Sequence, residues 1–130
     1  MKAKYQIPQL PQNGVQVTLE GPLVRILFDF TPATPVLEKG QEAPADLYDC
    51  ESVDTTERSY GGIVSAIIND RYSPDDVQAV LANYENAKDP ESTLADEKRA
   101  EYLQEYHDFQ EYREHAKTVA KLAIAKIEAQ

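Results

Sequence analysis

The chain has 130 residues, of which 42% are hydrophobic. That suits one domain with a core that needs neither disulfide nor metal, and it argues against wholesale disorder. Its formal net charge is -10, with 5 basic and 9 acidic side chains in residues 1–58 and 8 and 14 in residues 59–130. Neither half is a basic arm, so naked nucleic acid and anionic membranes are excluded as expected partners.

Residues 1–12, MKAKYQIPQLPQ, read as an extended arm. Pro8 and Pro11 lack a backbone donor and so rule out a central strand. The arm either frays or docks on a neighbouring subunit. It has lysines but no apolar h-region, so no secretory leader is expected. No apolar run in the chain approaches the roughly 20 residues that a membrane helix needs.

Residues 13–57 form the β region of the single domain expected over 1–130. Asn13-Gly14 signals a turn, and Val15–Glu20 then alternates apolar and polar residues. Gly21-Pro22 is a second turn, leading into Leu23–Phe30. The two strands predict an antiparallel hairpin with Val24, Ile26, Phe28 and Phe30 on the core face and Leu23, Arg25, Leu27 and Asp29 on the other. Thr31–Pro44 reads as a loop, with a short pairing segment at Pro35-Val36-Leu37. Leu47–Val53 is a weaker strand, expected at a sheet edge. So small a sheet needs a helix across one face.

Residues 59–130 read as helical. In Tyr60–Tyr72 the pairs Ile63/Ile67 and Val64/Ile68 recur at helical spacing. Gly61 and Gly62 fall in the first turn, where they permit close approach, most simply to the sheet. A phosphate loop would need a following Gly-Lys-Ser/Thr, which is missing. Ser73-Pro74-Asp75-Asp76 is a strong helix start: a capping serine, a proline at the first helical position and an aspartate closing a capping box. Val77, Val80, Leu81 and Tyr84 form its apolar stripe, and Asn86–Glu91 ends it. Thr93 with Asp96 predicts a second capping box. From Leu94 to Ala129 there is no glycine or proline, so one helix of about 50 Å is expected.

Along that helix Tyr102, Tyr106, Phe109, Arg113, Ala116, Ala120, Ala123 and Ile127 are spaced alternately four and three apart, a heptad-like seam that only Arg113 interrupts with charge. The expected protein interface is therefore Tyr102, Tyr106, Phe109, Ala116, Ala120, Ala123 and Ile127, with the far end either projecting onto another chain or wrapping the chain's own sheet. Lys117, Lys121 and Lys126 suit the negative end of the helix dipole. The predicted fold class is α+β: a small antiparallel N-terminal sheet packed by helices, with a long C-terminal helix.

No catalytic set stands out. Cys50 is the only cysteine, which suits a reducing compartment, and Asp49 and Glu51 should raise its thiol pKa. His107, Glu111 and His115 recur every four residues on one helix face, a metal-site spacing, but their neighbours are those of a solvated surface and no ligand from a second element is visible. Ser65 lacks a nucleophile-elbow context. Tyr102, Tyr106 and Tyr112 suggest an aromatic strip; at this net charge a protein contact fits it better than stacked bases. No catalytic, cofactor-binding or metal residue is assigned, and no cofactor is expected.

The string Tyr-x-x-Ile-Val-Ser-Ala-Ile-Ile-x-x-Arg-Tyr-Ser-x-Asp-Asp over Tyr60–Asp76 resembles a motif of small phage and prophage proteins from tail-gene regions, similar to tail-fibre assembly or accessory proteins. Ile63, Val64, Ile67, Ile68, Arg71, Tyr72, Ser73, Asp75 and Asp76 carry the likeness, with Tyr112, Arg113 and Ala116 further on. It covers the helical half only. The resemblance implies a non-enzymatic role in the host cytoplasm or the virion, as an assembly chaperone or accessory protein contacting a fibre or baseplate protein. The alternative is a virion adaptor or tail subunit that forms a homo-oligomer; a metal-dependent enzyme using His107, Glu111 and His115 comes third.

Overall fold

The structure, a computed structural model, describes residues 1–33, 38–41 and 46–130. The fold is α+β. Four strands, β1 (Lys2–Gln6), β2 (Val15–Glu20), β3 (Leu23–Pro32) and β4 (Leu47–Thr55), form one antiparallel sheet in the order β1-β4-β3-β2. Three helices follow: α1 (Tyr60–Arg71), α2 (Pro74–Lys88) and α3 (Asp96–Glu128). The expected Pro35–Leu37 segment lies outside the described residues.

The hairpin forms as its turn chemistry dictates. Asn13 and Gly14 both take positive φ, 63° and 73°, just before β2. Gly21, at φ 57°, opens the two-residue loop between Glu20 and Leu23, which face each other across the ladder. A glycine at that first loop position matches the right-handed strand twist. The Arg58 guanidinium donates to the Gly21 carbonyl at 2.9 Å and ties the turn to the start of the helical region.

Two expectations about the sheet are corrected. Residues 1–12 are not a free arm: Lys2–Gln6 pairs antiparallel with β4, from Lys2 opposite Glu51 to Gln6 opposite Leu47. Pro8 and Pro11 fall just past this strand, which is why they do not interrupt it. In consequence β4 is an interior strand between β1 and β3, not an edge. Its polar alternation imitates an edge because its carboxylates meet β1 cations, Lys4 on Asp49 at 2.5 Å and Lys2 on Glu51 at 3.6 Å.

The core lies between one sheet face and the helices. Val15, Val24, Ile26, Phe28 and Val53 supply the sheet side; Ile63 and Ile67 supply α1; Tyr112, Ala116, Val119, Ala120 and Ala123 supply α3. Burying an Ile or Phe side chain contributes about 1.5–3 kcal/mol, and alanine on α3 lets its backbone approach the sheet closely. Phe30 is only half-buried. Between Phe28 and Thr31 the β3–β4 register slips, and Asp29 there has φ 57°. This bulge ends the regular alternation expected through Phe30. Leu27, Cys50 and Ile7 are buried as well, outside the main cluster.

Helix boundaries follow local capping. Ser59 Oγ accepts from the Gly62 amide at 3.1 Å to open α1. A Cβ on Gly62 would come within 2.7 Å of Glu57 Cβ, whereas Gly61 has open space. The close approach thus serves the preceding loop, not the sheet. The Ser73–Asp76 capping box is fully formed, with reciprocal bonds of 2.9 and 3.1 Å. The second expected box is not: α3 starts at Asp96 behind Ala95, with no side-chain cap. Arg99 takes over that junction. Its guanidinium donates to the carbonyls of Ala87 and, at 3.3 Å, Asp89, fastening the end of α2 to the start of α3.

Candidate protein-interaction site

The expected seam of α3 is largely consumed by the chain's own fold. Ala116, Ala120 and Ala123 are fully buried against the sheet and α1, and Ile127 packs on the same cluster. Phe109 is 5% exposed and meets Tyr72 edge-on, with ring centroids 5.2 Å apart. Tyr106 stacks on Tyr84 of α2 at 3.7 Å, and Tyr102 lies 5.1 Å under the Lys98 ammonium. Of the seam, Phe109 and Arg113 line a surface groove; the other side chains left for a partner there lie outside the seam.

They gather in a groove of about 500 Å³ where the three helices meet. α1 contributes Ser65, Ile68 and Asn69; α2 contributes Pro74, Val77 and Leu81; α3 contributes Phe109, Gln110 and Arg113. Each set follows from helical spacing, since residues four apart stand on one face. The corner between α1 and α2 sets the opening. There the Tyr72 amide donates to the Ile68 carbonyl at 2.8 Å to close α1, and the Ser73 box starts α2 at once. α2 buries only Ala87, and Leu81 stays 41% exposed. Arg113 is the groove's one charged lining residue. Among the described residues the ion pairs of α3 join Lys98 to Glu101 and Lys117 to Glu114, His107 and His115 contact Glu111 and Asp29, and none of these pairs includes Arg113.

The other candidates disperse. His107 bonds Glu111 at 3.0 Å on the surface, while His115 Nε2 meets Asp29 Oδ1 at 2.8 Å, so His107 and Glu111 pair with each other and His115 turns away to β3. Among the described residues no group of three or more His, Cys, Asp or Glu is placed to hold a metal ion. The sequence places Asp29 only on the strand face away from the core candidates; at the bulge it meets His115 of α3. Cys50 is buried, and burial first, then Glu51 and Asp49, pushes its thiol upward. Tyr112 leaves the expected aromatic strip for the core, where burial pushes its phenol up to about 12 against the opposing pull of Arg71, whose guanidinium sits 4.6 Å over the ring.

The groove was missed at the sequence level, although its parts were visible. Val77/Leu81 and Phe109/Arg113 are both four-residue pairs, but no spacing within one helix tells which helices meet. No described helix is long and apolar enough to cross a membrane. Compared with family profiles, curated proteins and solved structures, the chain matches none.

Proposed function

We propose that the chain is a non-enzymatic assembly or accessory protein of a phage or prophage tail region, working through contacts with a fibre or baseplate protein. The observation that carries the contact role is the three-helix groove, with Ile68, Val77, Phe109 and the exposed Leu81 as its apolar lining and Arg113 in no ion pair among the described residues. A cleft between helices that combines apolar side chains with a few polar groups is a common place for a binding site. The tail-region setting is supported by the Tyr60–Asp76 resemblance, and two residues of that motif, Ser65 and Ile68, line the groove.

The test is a tagged pull-down from cells producing the phage or prophage, read by mass spectrometry. A fibre or baseplate protein should be recovered, and mature particles should lack the chain. Its presence in particles would favour the virion-subunit reading instead. Recovery of the bait alone would remove the proposal.

A further inference from the structure

The helical groove differs in charge from the other clefts of the described surface. Beside β1, Lys2, Lys4 and Arg71 face Asp29, Asp49 and Glu51; beyond Tyr72, Arg71 faces Asp76, Glu105 and Asp108. Those clefts balance their own charges or lean negative. The groove between α1, α2 and α3 carries one charge only, the Arg113 cation, on a chain of net charge -10. Arg113 is exposed and, among the described residues, enters none of the ion pairs along α3. Asn69 and Gln110 add amide donors and acceptors at the rim, and Ile68, Leu81 and Phe109 make the floor apolar.

We infer that this groove takes an amphipathic helix of another protein, with its apolar ridge over Ile68, Leu81 and Phe109 and an Asp or Glu side chain paired with Arg113. The inference rests on the protein-contact role proposed above and names the chemistry of the partner. A groove walled by helices matches the ridge of a further helix. A planar guanidinium at its margin selects a carboxylate through two parallel hydrogen bonds. A second copy of this chain is the poorer occupant. It would bring a further net charge of -10, and the alanine stripe best suited to self-association, Ala116, Ala120 and Ala123, is already buried at home.

The probe is a labelled amphipathic helical peptide with a leucine ridge flanked by glutamates. One control replaces each glutamate with lysine, and a second scrambles the order. Binding to the full chain is followed by fluorescence anisotropy and by NMR. The glutamate peptide should shift the resonances of groove residues and the scrambled peptide should not. Arg113→Glu, at an exposed position, should leave the circular dichroism unchanged, weaken the glutamate peptide about ten-fold or more, and improve the lysine peptide. Leu81→Asp should abolish binding.

Absence of binding, shifts lying elsewhere, or equal affinity for wild type and Arg113→Glu would overturn the inference. So would a dimer in sedimentation that Leu81→Asp dissociates, because the groove would then belong to a second copy. If the peptide fails while the pull-down still recovers a tail protein, the contact role holds and this surface is wrong. If the pull-down yields the bait alone, the role itself fails.

Discussion

The two ends of α3 are held in different ways. From Ala116 to Ala123 the helix presses on the sheet and α1, with Ala116, Ala120 and Ala123 fully buried and Val119 3% exposed. From Asp96 to Tyr106 no residue is buried, and the helix is joined to α2 by the Tyr84–Tyr106 stack, by Ala87 and by Arg99 on backbone carbonyls. One end belongs to the cooperative core; the other is half of a peripheral helical hairpin. Local stability follows buried apolar contact, so the hairpin should open more readily than the sheet. The groove lies at the boundary, with Ile68 and Phe109 on the firm side and Val77 and Leu81 on the loose one. A partner helix there would brace the hairpin against the core.

The strongest way to break the contrast is at the firm end. Ile67→Ala removes a fully buried side chain facing the sheet, and should cost about 2–5 kcal/mol in urea denaturation. Next comes alkaline pH. The Tyr112 phenol titrates at about 12 in the folded chain against an ordinary 10.0. The folded state therefore holds this proton more tightly than the unfolded state does, so the stabilisation is whole below pH 10 and falls as pH rises toward about 12. Phenolate absorbance should show one late-titrating tyrosine, and Tyr112→Phe should flatten that part of the stability profile.

Smaller effects separate the hairpin from the core. Ser73→Ala removes the α2 cap and should cost about 1 kcal/mol. Tyr84→Ala removes the stack on Tyr106 and with it a side-chain contact between α2 and the first half of α3. Both should speed hydrogen exchange in α2 and the first half of α3 while β3 amides stay protected. Uniform loss of protection would show the hairpin and core to be one cooperative unit. The smallest change is at the sheet surface: Asp54→Asn breaks the pair with Arg25 at 2.9 Å, where solvent screening leaves an exposed ion pair little to contribute, so the urea midpoint should barely move.

Local chemistry alone determined β2, the β2–β3 turn, α1 and the start of α2. Asn13-Gly14 and Gly21-Pro22 set backbone angles that few other residues accept, and Ser73 with Asp76 satisfies the free amides of a helix end within four residues. Such bonds need no distant partner, so they are readable in sequence. Tertiary structure decided whatever depends on a choice of partner. Lys2–Gln6 became a strand because β4 was there to pair with it, and β4 became interior for the same reason. The bulge at Asp29 arose from the register of two strands, not from the composition of either. The alanine seam of α3 had two suitable surfaces, another helix or its own sheet, and the same spacing fits both; the chain's own core took it. The groove depends on three helices meeting at set angles, and those angles come from α1 and α3 packing on the sheet and α2 packing on α3, not from the periodicity of any one helix.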